Sequence, residues 1–191
     1  MSVEEVFHLR KDTLVYIIFN PENMNNQIQK IKTANSFKRF GYESIRYQPY
    51  ANPEKDNGFR LKFGGEYGIN RDLYIEKCKW YSFAMILKKI RKETRPVIIT
   101  FAGNELVQDI SNKIETKDFE ILGFYLNLNN RKKSQPTSGI YITPLKARTL
   151  FKQRLLQKEI TGPIDGEMIS YYNLDIEDPS QKYQYFAMTK L

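Results

Sequence analysis

The stretch Gly58-Phe59-Arg60-Leu61-Lys62-Phe63 decides the fold expected from this sequence, because it recurs in the second half of the chain as Gly123-Phe124-Tyr125-Leu126-Asn127-Leu128. Apolar and polar residues alternate in both copies, and an alternation of period two is typical of a β-strand with one buried face. The outward faces of the two strands would then carry Arg60, Lys62, Tyr125 and Asn127. The sequence therefore predicts a duplicated, half-buried strand.

The residues after each strand also correspond. A polar loop rich in Gly and Asn, at 64–70 and again at 129–139, precedes a short strand at 73–75 and 140–142. A helix with one apolar face follows in each copy. The second helix opens with Thr143-Pro144, an N-cap residue followed by proline at the first helical position.

Strand-like runs also occur upstream of each copy, at 15–19 (VYIIF) and 97–101 (VIITF). The first copy has an insertion around 21–36, in which Met24, Ile28 and Ile31 are spaced as the apolar face of a short helix, and 37–50 is predicted to be extended. We therefore expect an α+β protein built from two tandem units of antiparallel strands, each capped by an amphipathic helix. The units span 13–95 and 96–160, and a C-terminal β-hairpin at 161–191 packs with them into one compact body.

Composition limits the chemistry that this chain can perform. With one His (His8) and one Cys (Cys78) in 191 residues, an intrachain disulfide framework and a Cys/His zinc cluster are excluded, and a catalytic triad would have to use His8. No apolar run has the length of a signal peptide or of a membrane span. We expect a cytoplasmic protein, in the host cytoplasm or the virion if it is viral, without a membrane partner.

Positive charge is concentrated in the body of the chain. The formal net charge is +8, but residues 161–191 contribute −3, which leaves +11 for residues 1–160. Such an excess either attracts a polyanion or serves solubility.

A single-stranded nucleic acid offers phosphates to cations and base faces to aromatic rings, and this sequence places both residue types together. The predicted nucleic-acid-binding residues are Arg60, Lys62, Tyr125, Asn127, Arg131, Lys132, Lys133, Lys38, Arg39 and Tyr42. The alternative is that these cations are solvated and these rings are half-buried packing.

The order of strand, Gly/Lys-rich loop, short strand and amphipathic helix, seen best over 123–156 with Ser138-Gly139-Ile140-Tyr141-Ile142-Thr143 before the helix, resembles the positive cofactor four family of transcription coactivators. It is more distantly similar to the Whirly and Pur-type proteins. The resemblance implies a strands-then-helix unit that binds single-stranded nucleic acid.

We expect a non-catalytic, single-stranded DNA- or RNA-binding protein of replication or transcription, viral or phage in origin, with no cofactor and no metal. It would form a homo-oligomer or part of a larger assembly. The alternative is a structural subunit of an assembly, such as a virion connector or a ribonucleoprotein component. A metal-dependent nuclease would need the acidic residues Asp109, Glu115, Asp118 and Glu120, which alternate with lysines as solvated charges do.

Overall fold

A five-stranded mixed sheet forms the centre of the protein in the computed structural model, which describes residues 12–51, 78–79, 82–83, 85–124, 137–150 and 187–191. Along the chain the elements are β1 (Leu14–Phe19), α1 (Met24–Arg39), β2 (Ile45–Pro49), α2 (helical residues 78–79, 82–83 and 85–89, with a 3-10 turn at Ile90–Lys92), β3 (Val97–Phe101), β4 (Asn104–Leu106), α3 (Ser111–Ile114), β5 (Phe119–Phe124), β6 (Thr137–Ile142), α4 (Pro144–Leu150) and β7 (Met188–Lys190).

The order of strands in the sheet is β2-β1-β3-β6-β5. Strand β1 pairs in parallel with both β2 and β3, whereas β6 runs antiparallel to both β3 and β5. Parallel neighbours need a crossover connection, and α1 provides the one between β1 and β2. A separate antiparallel pair joins β4 to β7.

The central strands are apolar throughout because both of their faces are covered. Every residue of β1 and of β3 is buried, as expected for parallel strands between two layers of helix. On one face Tyr16 and Ile99 pack with Phe83 and Leu87 of α2. On the other face, residues such as Ile17 and Ile98 of these strands pack with Phe37 of α1 and with Met188 of β7.

Helix α1 is longer than the sequence predicts and buries a different face. The residues expected on its apolar face, Met24, Ile28 and Ile31, are exposed, and the buried residues are Thr33, Ala34, Ser36 and Phe37. Hydrogen bonds to β4 explain this orientation: the Thr33 hydroxyl donates to the Asn104 carbonyl at 2.6 Å, and the Leu106 N–H donates to Ser36 Oγ at 2.9 Å. Two hydroxyls that the hydropathy pattern assigns to solvent therefore face the protein.

The prediction of extended chain over 37–50 is wrong in its first half. Helix α1 continues to Arg39, the chain turns at Gly41, which has a φ of 92°, and β2 begins only at Ile45. The left-handed conformation at Gly41 ends the helix at little steric cost because glycine has no Cβ.

The broad α+β class is confirmed, but the strand pairing differs from the antiparallel units that we expected. The strands at 15–19 and 97–101, assigned to separate units, are parallel neighbours in one sheet. The Thr143-Pro144 helix start is confirmed, since the N–H of Lys146 donates to Thr143 Oγ1 at 3.2 Å. The repeat at 58–63 lies outside the described residues, and the division at 95/96 and 160/161 remains a prediction.

Within the described part of the chain, none of the helices combines the length and the apolar character that crossing a membrane requires.

Candidate nucleic-acid interface

Positive charge is concentrated in the elements that precede β3. The described residues up to Arg95, which form β1, α1, β2 and α2, contain eleven Lys and Arg against four Asp and Glu. The described residues from Val97 onward contain five of each sign. The part of the protein built from β1, α1, β2 and α2 is therefore strongly basic, and the part from β3 onward is neutral overall.

Strand β2 presents two adjacent residues, Arg46 and Tyr47, to opposite faces of the sheet, as successive strand residues do. Both side chains are partly accessible: Arg46 is 44% exposed and Tyr47 is 42% exposed. Each belongs to a separate cluster of cations and rings, and the two clusters flank the β2 edge.

The Lys30 cluster, on the α1 face, consists of Lys30, Phe19 and Tyr47. The Lys30 ammonium lies 4.0 Å from the centroid of the Phe19 ring and 5.3 Å from the centroid of the Tyr47 ring. Both distances are within the range of cation–π attraction. Among the described residues, no carboxylate lies within ion-pair distance of Lys30. The cluster therefore presents a positive charge that is held beside an exposed ring.

The Arg46 cluster, on the α2 face, consists of Arg46, Tyr16, Lys89 and Glu93. Arg46 Nη1 donates to the Tyr16 hydroxyl at 3.0 Å and to Glu93 Oε1 at 3.1 Å, and these hydrogen bonds, that to Tyr16 first, raise the pKa of Arg46. The Lys89 ammonium lies 6.0 Å from the centroid of the Tyr16 ring. With two cations and one carboxylate, this cluster is also net positive.

Further cations lie on α1, on α2 and just after α2. They are Lys32, Lys38, Arg39, Lys79, Lys88, Arg91, Lys92 and Arg95. Among them, Arg39 reaches Glu105 only at 3.9 Å, and its side chain is 65% exposed. An exposed pair at that separation contributes little to stability, so the charge of Arg39 is not tied to a structural role.

The structure places three of the ten predicted binding residues. Lys38 and Arg39 are exposed at the end of α1. Tyr42 requires a correction, because its ring is fully buried, edge-to-face against Phe37 at 5.9 Å, and cannot stack on a base. The other seven lie outside the described residues: Arg60, Lys62, Tyr125, Asn127, Arg131, Lys132 and Lys133.

Lys30, Arg46 and Tyr47 were not among the predicted residues. The pair Arg46-Tyr47 does carry a recognisable signal, since a cation and a ring adjacent in a strand reach opposite faces. Lys30 carries none, because it meets Tyr47 only once α1 has packed over β1.

The acidic residues considered for a nuclease do not converge. Asp109 accepts hydrogen bonds from the backbone and hydroxyl of Ser111, Glu120 pairs with Lys117 at 2.7 Å, and Asp118 accepts from Thr143. In the described ranges, no three His, Cys, Asp or Glu residues are grouped as metal ligands would be. Cys78 is buried.

The comparisons with known proteins do not identify a family for this chain. No protein-family model matches the chain, and no curated protein matches it. Among solved structures, it is similar to one assigned as a glucose-1-phosphate thymidylyltransferase from Bacillus anthracis, with 13% identity, a TM-score of 0.38, and coverage of 92% of this chain and 68% of that one. The protein named there is an enzyme, and our expectation of a non-catalytic protein is withdrawn. A TM-score this low assigns no activity to this chain.

Proposed function

We propose that this protein binds single-stranded nucleic acid along the β2 edge of its sheet. The observation that carries the proposal is the pairing of partly exposed cations with aromatic rings on both faces of that edge, in the part of the chain from β1 to α2, whose described residues include eleven basic and four acidic ones. The resemblance to single-stranded nucleic acid binders, which depends on other residues of the chain, indicates the same ligand.

The Lys30 cluster fits the chemistry of an unpaired strand, whereas the Arg46 cluster offers cations only, because its ring, Tyr16, is buried. Phosphates need cations whose charge is not consumed by nearby carboxylates, and Lys30 meets that need. Bases need an accessible ring face, and Tyr47 is the exposed ring beside it. A base stacked on such a ring contributes about 1–3 kcal/mol regardless of its sequence. The expected binding is therefore tight at low salt and indifferent to sequence.

For this function we propose a cytoplasmic location. A structural subunit of a larger assembly is the alternative, and the exposed apolar residues of α1 favour it. Such a subunit could do without nucleic-acid affinity, so the binding experiment separates the two.

We expect a labelled oligo(dT) to bind with an affinity that falls steeply as salt rises above about 50 mM, because each neutralised phosphate releases counterions. Fluorescence anisotropy over a salt series measures this. Lys30→Met keeps the apolar stem over Phe19 and removes the charge, and should reduce the slope of log K against log salt by about 1. Tyr47→Ala should cost about 1–3 kcal/mol of binding free energy, while Tyr47→Phe should bind normally.

The matched control is Lys113→Ala, an exposed lysine on α3 in the neutral half of the protein. It should bind as the unmodified protein does. No binding at low salt, affinity that ignores salt, or equal losses for Lys30→Met and Lys113→Ala would each refute the proposal.

A further inference from the structure

Helix α1 exposes an apolar stripe on the side opposite to its buried residues. Met24 is 72% exposed, Ile28 is 48% exposed and Ile31 is 52% exposed. At 100° per residue these three side chains fall within one narrow sector, and the buried residues Thr33 and Phe37 lie across the helix from it. We call Met24, Ile28 and Ile31 the α1 stripe.

The α1 stripe is unusual because the solvent side of a surface helix is normally polar. Its spacing of four and then three is that of a coiled-coil seam, in which a second helix covers alternating apolar positions. The next seam position, four further along, is the exposed Asn35. No other part of the described chain covers the three apolar side chains, as their exposure shows.

We propose that the α1 stripe pairs with the α1 stripe of a second copy of this chain, with the two helices antiparallel. The charges at the ends of α1 favour that orientation. Glu22 lies just before the helix, and Lys38 and Arg39 lie in its last turn. An antiparallel pair centred between Ile28 and Ile31 sets Glu22 close to Lys38 of the second copy, whereas a parallel pair sets Lys38 against Lys38.

This arrangement is isologous, since Ile28 meets Ile31 of the second copy and Ile31 meets Ile28. Met24 then meets Asn35 at each end of the seam, where the Asn35 amide can stay in contact with water. The pairing also sets the two helix dipoles in opposite senses. The 16 residues of α1 extend about 24 Å, which makes a small interface, so we expect weak, reversible association rather than a permanent dimer.

The proposed dimer leaves the Lys30 cluster accessible, although it engages Lys38, one of the other cations of α1. Lys30 projects toward Phe19 and Tyr47 at the flank of α1 and does not belong to the stripe. The inference is thus independent of the proposed function, and the two can fail separately.

Sedimentation velocity without nucleic acid tests the pairing, over concentrations from about 5 to 500 µM, the range suited to weak association. The average mass should rise from that of a monomer toward that of a dimer. Ile31→Asp should weaken association at least about tenfold, by burying a charge in the seam. Leu145→Asp is the control, because Leu145 is 57% exposed on α4 and lies outside the stripe. Circular dichroism melts confirm that both variants fold.

Asn35→Leu tests for a gain in self-association, which a folding defect cannot produce. It extends the α1 stripe by one apolar side chain, which gives Met24 of the second copy an apolar partner, and should strengthen association at least about tenfold. Association that is unchanged or weaker in Asn35→Leu would contradict a seam along this line of the helix.

Charge reversal tests the orientation. Glu22→Lys alone and Lys38→Glu alone should each weaken self-association, and the double variant should restore it, because the opposite charges then face each other again. A monomer at every concentration, association that Ile31→Asp leaves intact, or a double variant weaker than both single variants would overturn the proposal.

Discussion

At the scale of single residues, Gly123 and Gly139 face β7 and leave little room for a side chain. A Cβ on Gly123 would overlap the carbonyl oxygen of Met188 and the hydroxyl of Ser138, and one on Gly139 would lie 2.6 Å from the Met188 sulfur. The Gly123 contact is with the backbone and cannot be relieved by a rotamer change. The absence of side chains at these two positions lets β7 lie close against β5 and β6.

We therefore expect Gly123→Ala to lower the free energy of unfolding by about 1–3 kcal/mol, the usual cost of overpacking a filled site. Urea denaturation measures the loss. Lys190→Ala, an exposed position on β7 itself, serves as the comparison and should change stability by less than about 0.5 kcal/mol. A Gly123→Ala protein as stable as Lys190→Ala would show that β7 is not held against the sheet in this way.

Tyr141 should make the free energy of unfolding fall as the pH becomes alkaline. Burial, with a smaller contribution from Asp118, raises the pKa of its hydroxyl to about 12, from an ordinary value of 10.0. The folded state holds this proton more tightly than the unfolded chain, so the resulting stability is complete below pH 10 and is lost as pH rises toward 12.

Replacing Tyr141 with Phe should flatten this dependence. Between about pH 9 and 11.5 the unmodified protein should lose up to about 2 kcal/mol more unfolding free energy than Tyr141→Phe, as measured by urea denaturation at each pH. Parallel losses in the two proteins would contradict a buried, neutral Tyr141.

At the scale of elements, helix α4 shows what a local signal can predict. Thr143 Oγ1 accepts from the N–H of Lys146 at 3.2 Å and donates to Asp118 at 3.2 Å, so one hydroxyl caps the helix and ties it to the turn before β5. Capping depends on residues three positions apart and is therefore legible in the sequence.

Thr143→Ala should cost about 1 kcal/mol of stability, because a backbone donor of the first turn loses its partner. Thr143→Ser keeps the hydroxyl and should lose much less. Thermal denaturation of the two variants side by side checks this, and equal melting temperatures would mean that the cap contributes nothing.

The orientation of α1, by contrast, could not be predicted from its own residues. Hydropathy assigns Met24, Ile28 and Ile31 to the core, yet the helix faces β4 with Thr33 and Ser36. Those two hydroxyls find backbone partners on a strand that follows much later in the sequence. A local hydropathy pattern cannot reveal hydrogen-bond partners that lie so far away in the sequence.

At the scale of the whole molecule, the positions of the strands were easier to predict than which strands pair with each other. The runs at 15–19 and 97–101 are strands as expected, since continuous apolar runs of this length are characteristic of strands buried on both faces. Their parallel pairing depends on the crossover helices. A division of the chain into two repeats does not predict that these two strands pair with each other. The charge excess was likewise evident in the composition, but the cation–ring clusters on the two faces of β2 form only once the helices have packed on the sheet.

The strand order also has a consequence for how the chain reaches this fold. Strand β1 pairs with β3 through partners such as Leu14 and Val97, and β4 pairs with β7 through Leu106 and Met188, so both pairings join distant parts of the sequence. Long loops must close, at a cost in chain entropy, before these strand pairs can form. Pairings between distant residues give the protein a high contact order, so it should fold slowly. During that interval the wholly apolar β1 is open to pairing between chains, which makes it the described segment most at risk of aggregation in synthesis and refolding.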